Sequence, residues 1–341
     1  MISDKFYMLR AMELAKNGTG HVSPNPLVGC VIVHDDEIIG EGWHRKYGEA
    51  HAEVNAVNAV KDKSVLKDSV VYVNLEPCVH MGKTPPCVDL LVKHQVKRVV
   101  IANVDPNPLV AGKGINKLNG AGIEVSTEVL EGEGRELNKR FFTFFKQKRP
   151  FVILKWAHTS DGFIARENYD SKWISNEYSR KLVHKWRTEE DSILVGYNTA
   201  LHDNPKLTAR NWTGRNPVRI VIDPKLNLDP SLHLFDGTTP TICYNNVRQD
   251  IKDNVEYHLL EKEHLLDDML ANLFDRNIQS LIVEGGAQTI KTFLSEGLWD
   301  EARVFTSGHR FKSGIGAPFI DKEAGNSEMV GDDELNIYSN T

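Results

Sequence analysis

One histidine and two cysteines in the first quarter of the chain have the residue types and spacing of a metal site. His51 is followed two residues later by Glu53, and Cys78 and Cys87 each follow a proline. An imidazole and two thiolates give Zn²⁺ three protein ligands, which leaves one tetrahedral position open for water, as in catalytic zinc sites. The sequence therefore predicts a catalytic zinc held by His51, Cys78 and Cys87.

Glu53 has the position expected of a proton shuttle beside that zinc. Zinc lowers the pKa of its bound water to about 7. Attack on a ring carbon that bears an amine then needs a carboxylate to carry the proton to the ring nitrogen and to the leaving ammonia. A His-x-Glu segment followed by two Pro-Cys segments is the signature type of the zinc deaminases. We therefore predict that Glu53 is the catalytic residue of a hydrolytic deamination.

The loop between the two ligand cysteines departs from the Cys-x-x-Cys spacing of that signature. Its eight residues, 79–86, carry Lys83 and Thr84. A lysine and a hydroxyl beside zinc suit a phosphate or a polar heterocycle, and a solvated loop lysine is the alternative. Cys30 and Cys243 have no such neighbours, and we expect both to be buried small residues.

A second group of candidates lies in the other half of the chain. Glu284 ends an apolar run and precedes Gly285 and Gly286, where a new helix is predicted to begin. Such a turn lets a phosphate approach the backbone at a helix N-terminus, although a plain strand–helix turn fits as well. The pattern is not G-x-G-x-x-G, so a Rossmann domain is not supported. Arg187 and Arg210 are either phosphate clamps or solvated arginines.

The elements that position these residues alternate between apolar strands and amphipathic helices, which predicts α/β folds with helices on both faces of a sheet. Pro150 separates a charged helix over 131–149 from a new strand, so we place the boundary between two domains near 145–150. The tail after about residue 322 is polar, and we expect it to be poorly ordered. The predicted strands are 28–34, 37–42, 70–75, 98–102, 123–125, 151–156, 192–196, 218–222, 240–244, 279–284 and 302–306. The predicted helices are 3–17, 51–60, one beginning over 88–93, 112–121, 131–149, 176–189, 262–276 and 287–296.

Composition limits the classes of partner. The 341 residues suggest about two domains, and a net charge of −6 argues against the wrapping of a long nucleic acid. No run of about 18 apolar residues predicts a membrane span. The first residues form a charged helix pattern without the apolar core of a signal peptide. We therefore expect a cytoplasmic protein whose cysteines are reduced.

Four segments of the first half resemble the bacterial bifunctional riboflavin-biosynthesis enzymes. These enzymes join a diaminohydroxyphosphoribosylaminopyrimidine deaminase to a 5-amino-6-(5-phosphoribosylamino)uracil reductase. The resemblance implies a cytidine-deaminase-like three-layer α/β/α domain over 1–145. It also implies a wall of the substrate pocket made by Asn25, His44, His80, Lys83 and Asn103. The segments are SPNPLVGCVIV (23–33), HAEVNAV (51–57), LEPCVHMGKTPPC (75–87) and NVDPNPLVAGKGINKLNGAGIEV (103–125).

Four segments of the second half resemble the reductase domain of the same family. The resemblance implies a dihydrofolate-reductase-like α/β domain over 150–341 that uses NADPH. The segments are ILKWAHTSDGFIA (153–165), SKWIS (171–175), VGYNTALHDNPKLTAR (195–210) and VEGGAQT (283–289). The residues implied to lie near NADPH are His158, Trp173, Thr199, Asp203, Gly285, Gly286, Ala287, Gln288 and Thr289. Those implied to lie near the substrate are Ser171, Arg187, Leu207, Arg210 and Glu284. Lys155 and Asp161 are candidate proton donors for hydride transfer.

These observations lead to one hypothesis and two alternatives. The hypothesis is a two-step enzyme that deaminates 2,5-diamino-6-ribosylamino-4(3H)-pyrimidinone 5′-phosphate and then reduces its ribosyl group to ribityl. It has a small-molecule substrate, no nucleic-acid or membrane partner, and, by the resemblance, a homo-oligomeric state. One alternative is a nucleic-acid base deaminase with an accessory domain, against which the nearly neutral first half and the long cysteine loop argue. The other is a zinc-stabilised binding protein with a nucleotide-sensing half, which would have no use for Glu53.

Overall fold

The computed structural model describes residues 3–172, 174–261 and 265–340, and the chain divides into two units, Met1–Lys148 and Arg149–Thr341. Each unit is a β-sheet with helices packed on both faces, so the predicted α/β class is confirmed. Among the described residues, no helix has the length and apolar character that crossing a membrane requires.

The first unit contains a five-stranded sheet. Its strands are β1 (Gly29–His34), β2 (Glu37–Trp43), β3 (Val70–Leu75), β4 (Arg98–Asn103) and β5 (Glu124–Ser126). They lie in the order β2-β1-β3-β4-β5, with β1 antiparallel to both neighbours and β3, β4 and β5 parallel. Its helices are α1 (Asp4–Lys16), α2 (Ala52–Ala59), α3 (Cys87–Lys93), α4 (Lys113–Gly120), α5 (Glu131–Leu137) and α6 (Lys139–Gln147).

Alternation along these strands makes the unit three layers thick. Ile32, Val73 and Ile101 face one side of the sheet, where α2, α3 and α4 pack against them. Val31 and Val100 face the other side, where α1 packs. Buried β-branched residues on both faces are typical of a sheet covered on both sides. As a result, the start of α2, the end of β3 and the start of α3 meet at one edge of the sheet.

The second unit is built around a ten-stranded sheet and a small two-stranded one. Its strands are β6 (Phe151–Thr159), β7 (Phe163–Ala165), β8 (Ser192–Gly196), β9 (Val218–Ile222), β10 (Thr241–Asn245), β11 (Asp250–Lys252), β12 (Val255–Leu259), β13 (Ser280–Val283), β14 (Glu301–Ser307), β15 (Ile315–Gly316), β16 (Asn326–Val330) and β17 (Asp333–Ser339). Its helices are α7 (Glu177–Glu189), α8 (Tyr197–Asp203), α9 (Leu265–Asp275) and α10 (Ala287–Ser295).

The large sheet has the order β11-β12-β10-β9-β8-β13-β6-β14-β17-β16, and its seven central strands are parallel. Helices α9 and α10 cover one face, whereas α7 and α8 cover the other. Because β8 and β13 are parallel neighbours, α8 and α10 begin at the same edge of the sheet. Ligands bind at this kind of edge in open α/β sheets.

Two expectations from the sequence are wrong. The tail after residue 322 forms β16 and β17, and β17 pairs with β14 because its alternate residues, Leu335 among them, pack on the sheet. The predicted helix over 131–149 divides at Asn138, whose side chain hydrogen-bonds the backbone N–H and carbonyl of Leu27. The first three residues of the predicted helix 262–276 lie outside the described residues.

Candidate active sites

The three predicted zinc ligands meet at the edge of the first sheet. His51 caps the start of α2, Cys78 follows β3, and Cys87 opens α3. Nδ1 of His51 lies 3.5 Å from Sγ of Cys78 and 3.4 Å from Sγ of Cys87. The three donor atoms lie within 4.8 Å of one another. A nitrogen and two sulfurs at these separations can bind one metal ion together.

The protonation of the two thiols fits a bound cation. The interaction with Cys87 lowers the pKa of Cys78, and the same interaction, with burial, raises the pKa of Cys87. The backbone N–H of Cys87 also donates to Sγ of Cys78, at 3.4 Å. Protein groups therefore favour one thiolate of the pair, and a cation bound to both sulfurs would favour the second. Zn²⁺ suits this soft N, S, S donor set.

Glu53 lies in the first turn of α2, two residues after the ligand histidine, and only 3% of it is exposed. Burial, with the neighbouring charge of Cys78, raises the pKa of its carboxyl group. The interaction with Cys87 lowers the pKa of Glu53 in part, against the effect of burial. A raised pKa keeps a carboxyl group ready both to accept and to donate a proton near neutral pH.

His44 lies beside the predicted metal ligand His51 and contacts Asn25. The ring of His44 lies 5.2 Å from the ring of His51, centroid to centroid. Its Nδ1 bonds the carbonyl of Ala50 at 3.2 Å, and its Nε2 lies 3.0 Å from Nδ2 of Asn25. Burial lowers the pKa of His44. The ring is therefore neutral, with its proton on Nδ1, and it orients the amide of Asn25.

The other three residues implied for this pocket differ in their surroundings. His80 and Lys83 are exposed in the loop between the cysteines, and Nζ of Lys83 lies 4.0 Å above the ring of Tyr47. Asn103 is buried, and its amide donates to the carbonyl of Glu131 at 3.0 Å, in the first turn of α5. Among the described residues, the side-chain oxygen of Asn103 has no hydrogen-bond partner.

Glu76 is a positioning residue that the sequence analysis missed. Its buried carboxylate follows β3 and accepts hydrogen bonds from four backbone N–H groups of the loop and helix start beyond β4. The donors are Asp105 at 3.2 Å, Gly112 at 2.9 Å, Gly114 at 2.8 Å and Ile115 at 3.2 Å. One feature of the sequence could have revealed this role: a charged residue stands between an apolar strand and Pro77, close to the predicted ligand Cys78.

The second unit contains a cleft of about 990 Å³ where α8 and α10 begin. It gathers all but two of the residues implied for the reductase, together with Lys155. The predicted residues in its wall are Ser171, Arg187, Thr199, Asp203, Leu207, Arg210, Glu284, Gly285, Gly286, Ala287, Gln288 and Thr289. Trp173 lies outside the described residues. His158 is not among the lining residues, because its ring bonds the hydroxyl of Thr306 at 3.2 Å on the neighbouring β14.

Two strand–helix turns face each other at one end of this cleft. A side chain at Gly196, which caps α8, would come within 2.2 Å of the hydroxyl of Thr289 in α10. Gly285 and Gly286, which precede α10, have φ of +133° and +74°. These are backbone conformations that glycine adopts without strain. The turns therefore bring two helix N-termini and the hydroxyls of Thr199 and Thr289 together, as an anionic cofactor requires.

Three charged groups meet beside these turns, since Glu284 directly precedes Gly285. Arg187 donates from Nε to one carboxylate oxygen of Glu284 at 2.9 Å, and from Nη2 to the other at 2.7 Å. Nζ of Lys155 lies 3.9 Å from the same carboxylate. Burial lowers the pKa of Lys155 although Glu284 opposes this effect, whereas Arg187 and Lys155 lower the pKa of Glu284 against burial. The group is a buried carboxylate between two cations.

Asp161, the other candidate proton donor, has a different role. It accepts hydrogen bonds from the hydroxyl of Thr159 at 2.6 Å and from the backbone N–H groups of Phe311 and Lys312 at 3.2 and 2.9 Å. The hydrogen bond with Thr159 is the largest cause that lowers the pKa of Asp161 to about 2. A carboxylate that accepts these hydrogen bonds stays ionised, and it holds the loop at Phe311 and Lys312 in place.

The hydroxyl of Ser171 donates to the carboxylate of Asp203 and lies 3.1 Å from each of its oxygens. Burial raises the pKa of Asp203. Because both residues line the cleft, this contact draws the segment after β7 onto the end of α8.

Comparison with known proteins agrees with the geometry of both units. Residues 1–103 match the family model of the cytidine and deoxycytidylate deaminase zinc-binding region, and residues 150–308 match the RibD C-terminal domain. The chain is 44% identical to the riboflavin biosynthesis protein RibD of Aquifex aeolicus, over 89% of this chain and 86% of that protein. It is 37% identical to RibD of Escherichia coli K12, over 89% and 87%.

A solved structure extends this similarity to the whole chain. The crystal structure of a diaminohydroxyphosphoribosylaminopyrimidine deaminase/5-amino-6-(5-phosphoribosylamino)uracil reductase from Thermotoga maritima is 38% identical, with a TM-score of 0.89 over 98% of this chain and 97% of that one. The resemblance found in the sequence is confirmed. The chain therefore belongs to the RibD family of bifunctional riboflavin-biosynthesis enzymes, which join a cytidine-deaminase-like domain to a pyrimidine reductase domain.

Proposed function

We propose that this chain hydrolytically deaminates 2,5-diamino-6-ribosylamino-4(3H)-pyrimidinone 5′-phosphate in residues 1–145. We also propose that it reduces the ribosyl group of the product to ribityl with NADPH in residues 150–341. The observation that carries the proposal is the convergence of His51, Cys78 and Cys87 beside the buried carboxyl group of Glu53. The name of the Thermotoga maritima relative, which joins the same two activities, supports the choice of substrate.

In the first unit, His51, Cys78 and Cys87 hold one zinc ion, which when bound is a Lewis acid that activates water at neutral pH. Glu53 takes a proton from the attacking water at its carboxylate and delivers it to the pyrimidine nitrogen. It then carries the proton of the added hydroxyl group to the amine, which leaves as ammonia when the C–N bond breaks. Its raised pKa suits both transfers. The amide of Asn25, oriented by neutral His44, has hydrogen-bonding groups for the ring. Lys83, exposed in its loop, is the charge that reaches the phosphate.

In the second unit, Gly196, Gly285 and Gly286 let the phosphates of NADPH approach the starts of α8 and α10. NADPH supplies the hydride. With a hydride supplied to C1′ of the ribosyl group, the bond between C1′ and the ring oxygen would break, and that oxygen would need a proton. Lys155 is placed to give this proton, because it lines the cleft and burial makes its ammonium a stronger acid. Arg187 and Glu284 hold the substrate beside it.

The proposal also covers the cellular compartment and the oligomeric state of the enzyme. All four cysteines are free, which fits the reducing cytoplasm. We propose a cytoplasmic homo-oligomer, and sedimentation of the purified protein tests the oligomeric state.

The experiment is a two-stage assay on the purified, zinc-analysed protein. With the diaminopyrimidine phosphate alone, ammonia is released and NADPH is not needed. When NADPH is then added, one equivalent is oxidised for each ammonia already released. Release of ammonia from transfer RNA instead of the pyrimidine phosphate would favour the nucleic-acid deaminase and overturn the proposal.

A further inference from the structure

One carbonyl oxygen beside the cleft of the second unit accepts two hydrogen bonds from a single helix. The carbonyl of Thr208 accepts from Nδ1 of His184 at 2.9 Å and from Nη1 of Arg187 at 3.1 Å. His184 and Arg187 are three residues apart on α7 and share a face. That face of α7 therefore holds the backbone of the segment that follows α8.

The segment from 204 to 210 needs such support. Asn204 and Leu207 have φ of +42° and +53°, in the left-handed region that side-chain-bearing residues rarely adopt. Besides Thr208, this segment is held at Ala209, whose N–H donates to the side chain of Asn216 at 2.9 Å. Arg210 comes two residues after Thr208 and lines the cleft. The place of its guanidinium therefore depends on the carbonyl of Thr208.

Unlike Arg187, the exposed Arg210 in the wall of this cleft remains available to an anion. The fork of Arg187 is taken by Glu284, whereas Arg210 forms no ion pair with a carboxylate in the described part of the chain. Burial and the charge of Arg187 lower the pKa of Arg210. An anionic ligand relieves this repulsion between two guanidinium groups.

His184 is neutral in this setting. Burial, followed by the charges of Arg187 and Arg210, lowers its pKa to about 4. The single proton of a neutral ring must be on Nδ1, because Nδ1 donates to Thr208. His184 is 4% exposed and lines the cleft. It therefore acts as a fixed hydrogen-bond donor between two cations and cannot serve as the proton donor of the reduction.

We propose that His184 is a positioning residue for the anionic group of the reductase substrate, because by fixing the Thr208 carbonyl it sets the place from which Arg210 binds that group. The identification of the anion as the substrate's phosphate rests on the proposed function. The positioning of Arg210 stands on the geometry alone.

Two variants separate positioning from packing. His184→Phe fills the ring's space without a donor, and His184→Asn keeps an N–H close to the place of Nδ1. For His184→Phe we expect the KM of the phosphorylated substrate to rise about tenfold, with kcat within about twofold and the KM of NADPH unchanged. For His184→Asn, the KM of the phosphorylated substrate should return most of the way to the wild-type value. The inhibition constant of inorganic phosphate should rise in His184→Phe by the same factor.

The inference is overturned if the two variants behave alike, or if kcat and the KM of NADPH change as much as the KM of the substrate. Calorimetric titration of inorganic phosphate into the full chain tests the same point without turnover, since His184→Phe should bind it more weakly than His184→Asn. A wild-type protein that bound phosphate in this His184-dependent way but never oxidised NADPH with the pyrimidine would refute the proposed function and leave this inference standing.

Discussion

Arg187 and Glu284 form a two-point ion pair, Nε to Oε1 at 2.9 Å and Nη2 to Oε2 at 2.7 Å, in the cleft that Lys155 also lines. The pair joins α7 to the end of β13, and its two residues are 97 positions apart in the sequence. Because Arg187 neutralises Glu284, the charge of Lys155 is left without full compensation. A buried cation of this kind loses its proton readily, as proton transfer to a substrate oxygen requires.

Lys155→Met should abolish the reduction without destabilising the fold. We expect the NADPH oxidation rate to fall by about 10² to 10⁴-fold, the usual worth of a positioned acid. Methionine has a similar shape and removes a desolvated charge, so the variant should unfold at the same or a higher temperature. Deaminase activity is the internal control. An unchanged reductase rate would remove Lys155 from the mechanism.

The pH dependence of stability tests the environment of Lys155 separately. Burial places the folded pKa of Lys155 below its unfolded value. The unfolded chain therefore binds more protons between the two values, so the cost of burying the charge is full below the folded pKa and fades as pH rises towards the unfolded pKa. The stability advantage of Lys155→Met should accordingly shrink between pH 7 and pH 10. A constant difference in denaturant midpoint over that interval would contradict the assigned burial.

Glu53→Gln should stop deamination and keep the metal. The amide is isosteric with the carboxyl group but cannot carry a proton between water and the ring, so ammonia release should fall by about 10² to 10⁴-fold. Because Glu53 is not one of the three ligands, zinc content by atomic absorption should equal that of the wild type. Loss of zinc together with activity would make Glu53 a structural ligand and favour the sensor alternative.

Glu76→Gln should loosen the loop beside the first site. The amide replaces an acceptor of four backbone hydrogen bonds by a group that presents its own N–H, and we expect a loss of about 2–3 kcal/mol in the free energy of unfolding. Denaturant titration measures it. Glu133→Gln, at an exposed site in α5, is the matched control and should change stability little. Equal midpoints for the two variants would refute this role.

Gly285→Ala should weaken the binding of NADPH. The residue has φ of +133°, and an added Cβ would lie 3.2 Å from the hydroxyl of Thr199. We expect the KM of NADPH to rise at least about tenfold, since strain and a displaced threonine both disturb the turn. Gly297→Ala also places alanine at positive φ, +68°, but meets no atom within 4 Å. If Gly297→Ala raised this KM equally, the turn at Gly285 would have no special part in cofactor binding.

The sequence allowed prediction of those features whose signals are local. His51, Glu53, Cys78 and Cys87 are recognisable because each lies at a boundary of a helix or strand that periodicity predicts, and the structure brings them together. The Gly285–Gly286 turn was predictable for the same reason. Most of the long helices and central strands were also found in this way.

The features that escaped prediction depend on partners distant in the sequence. Glu76 bonds N–H groups up to 39 residues away, and His184 bonds a carbonyl 24 residues away, so neither leaves a local pattern. The strand β17 was missed because its apolar residues are few and polar residues flank them, and its stability comes from pairing with β14. His158 on β6 contacts Thr306 on the adjacent strand β14, and the sequence does not reveal that these two strands are neighbours.

The most direct test of the proposed two-step enzyme is the metal dependence of ammonia release. The wild-type protein should contain one zinc per chain and release ammonia from the diaminopyrimidine phosphate. Cys87→Ala should lose both the zinc and this activity while it still oxidises NADPH with the separately supplied deaminated product. A Cys87→Ala protein that deaminated at the wild-type rate, or a fully active wild-type protein free of zinc, would contradict the proposed role of the metal.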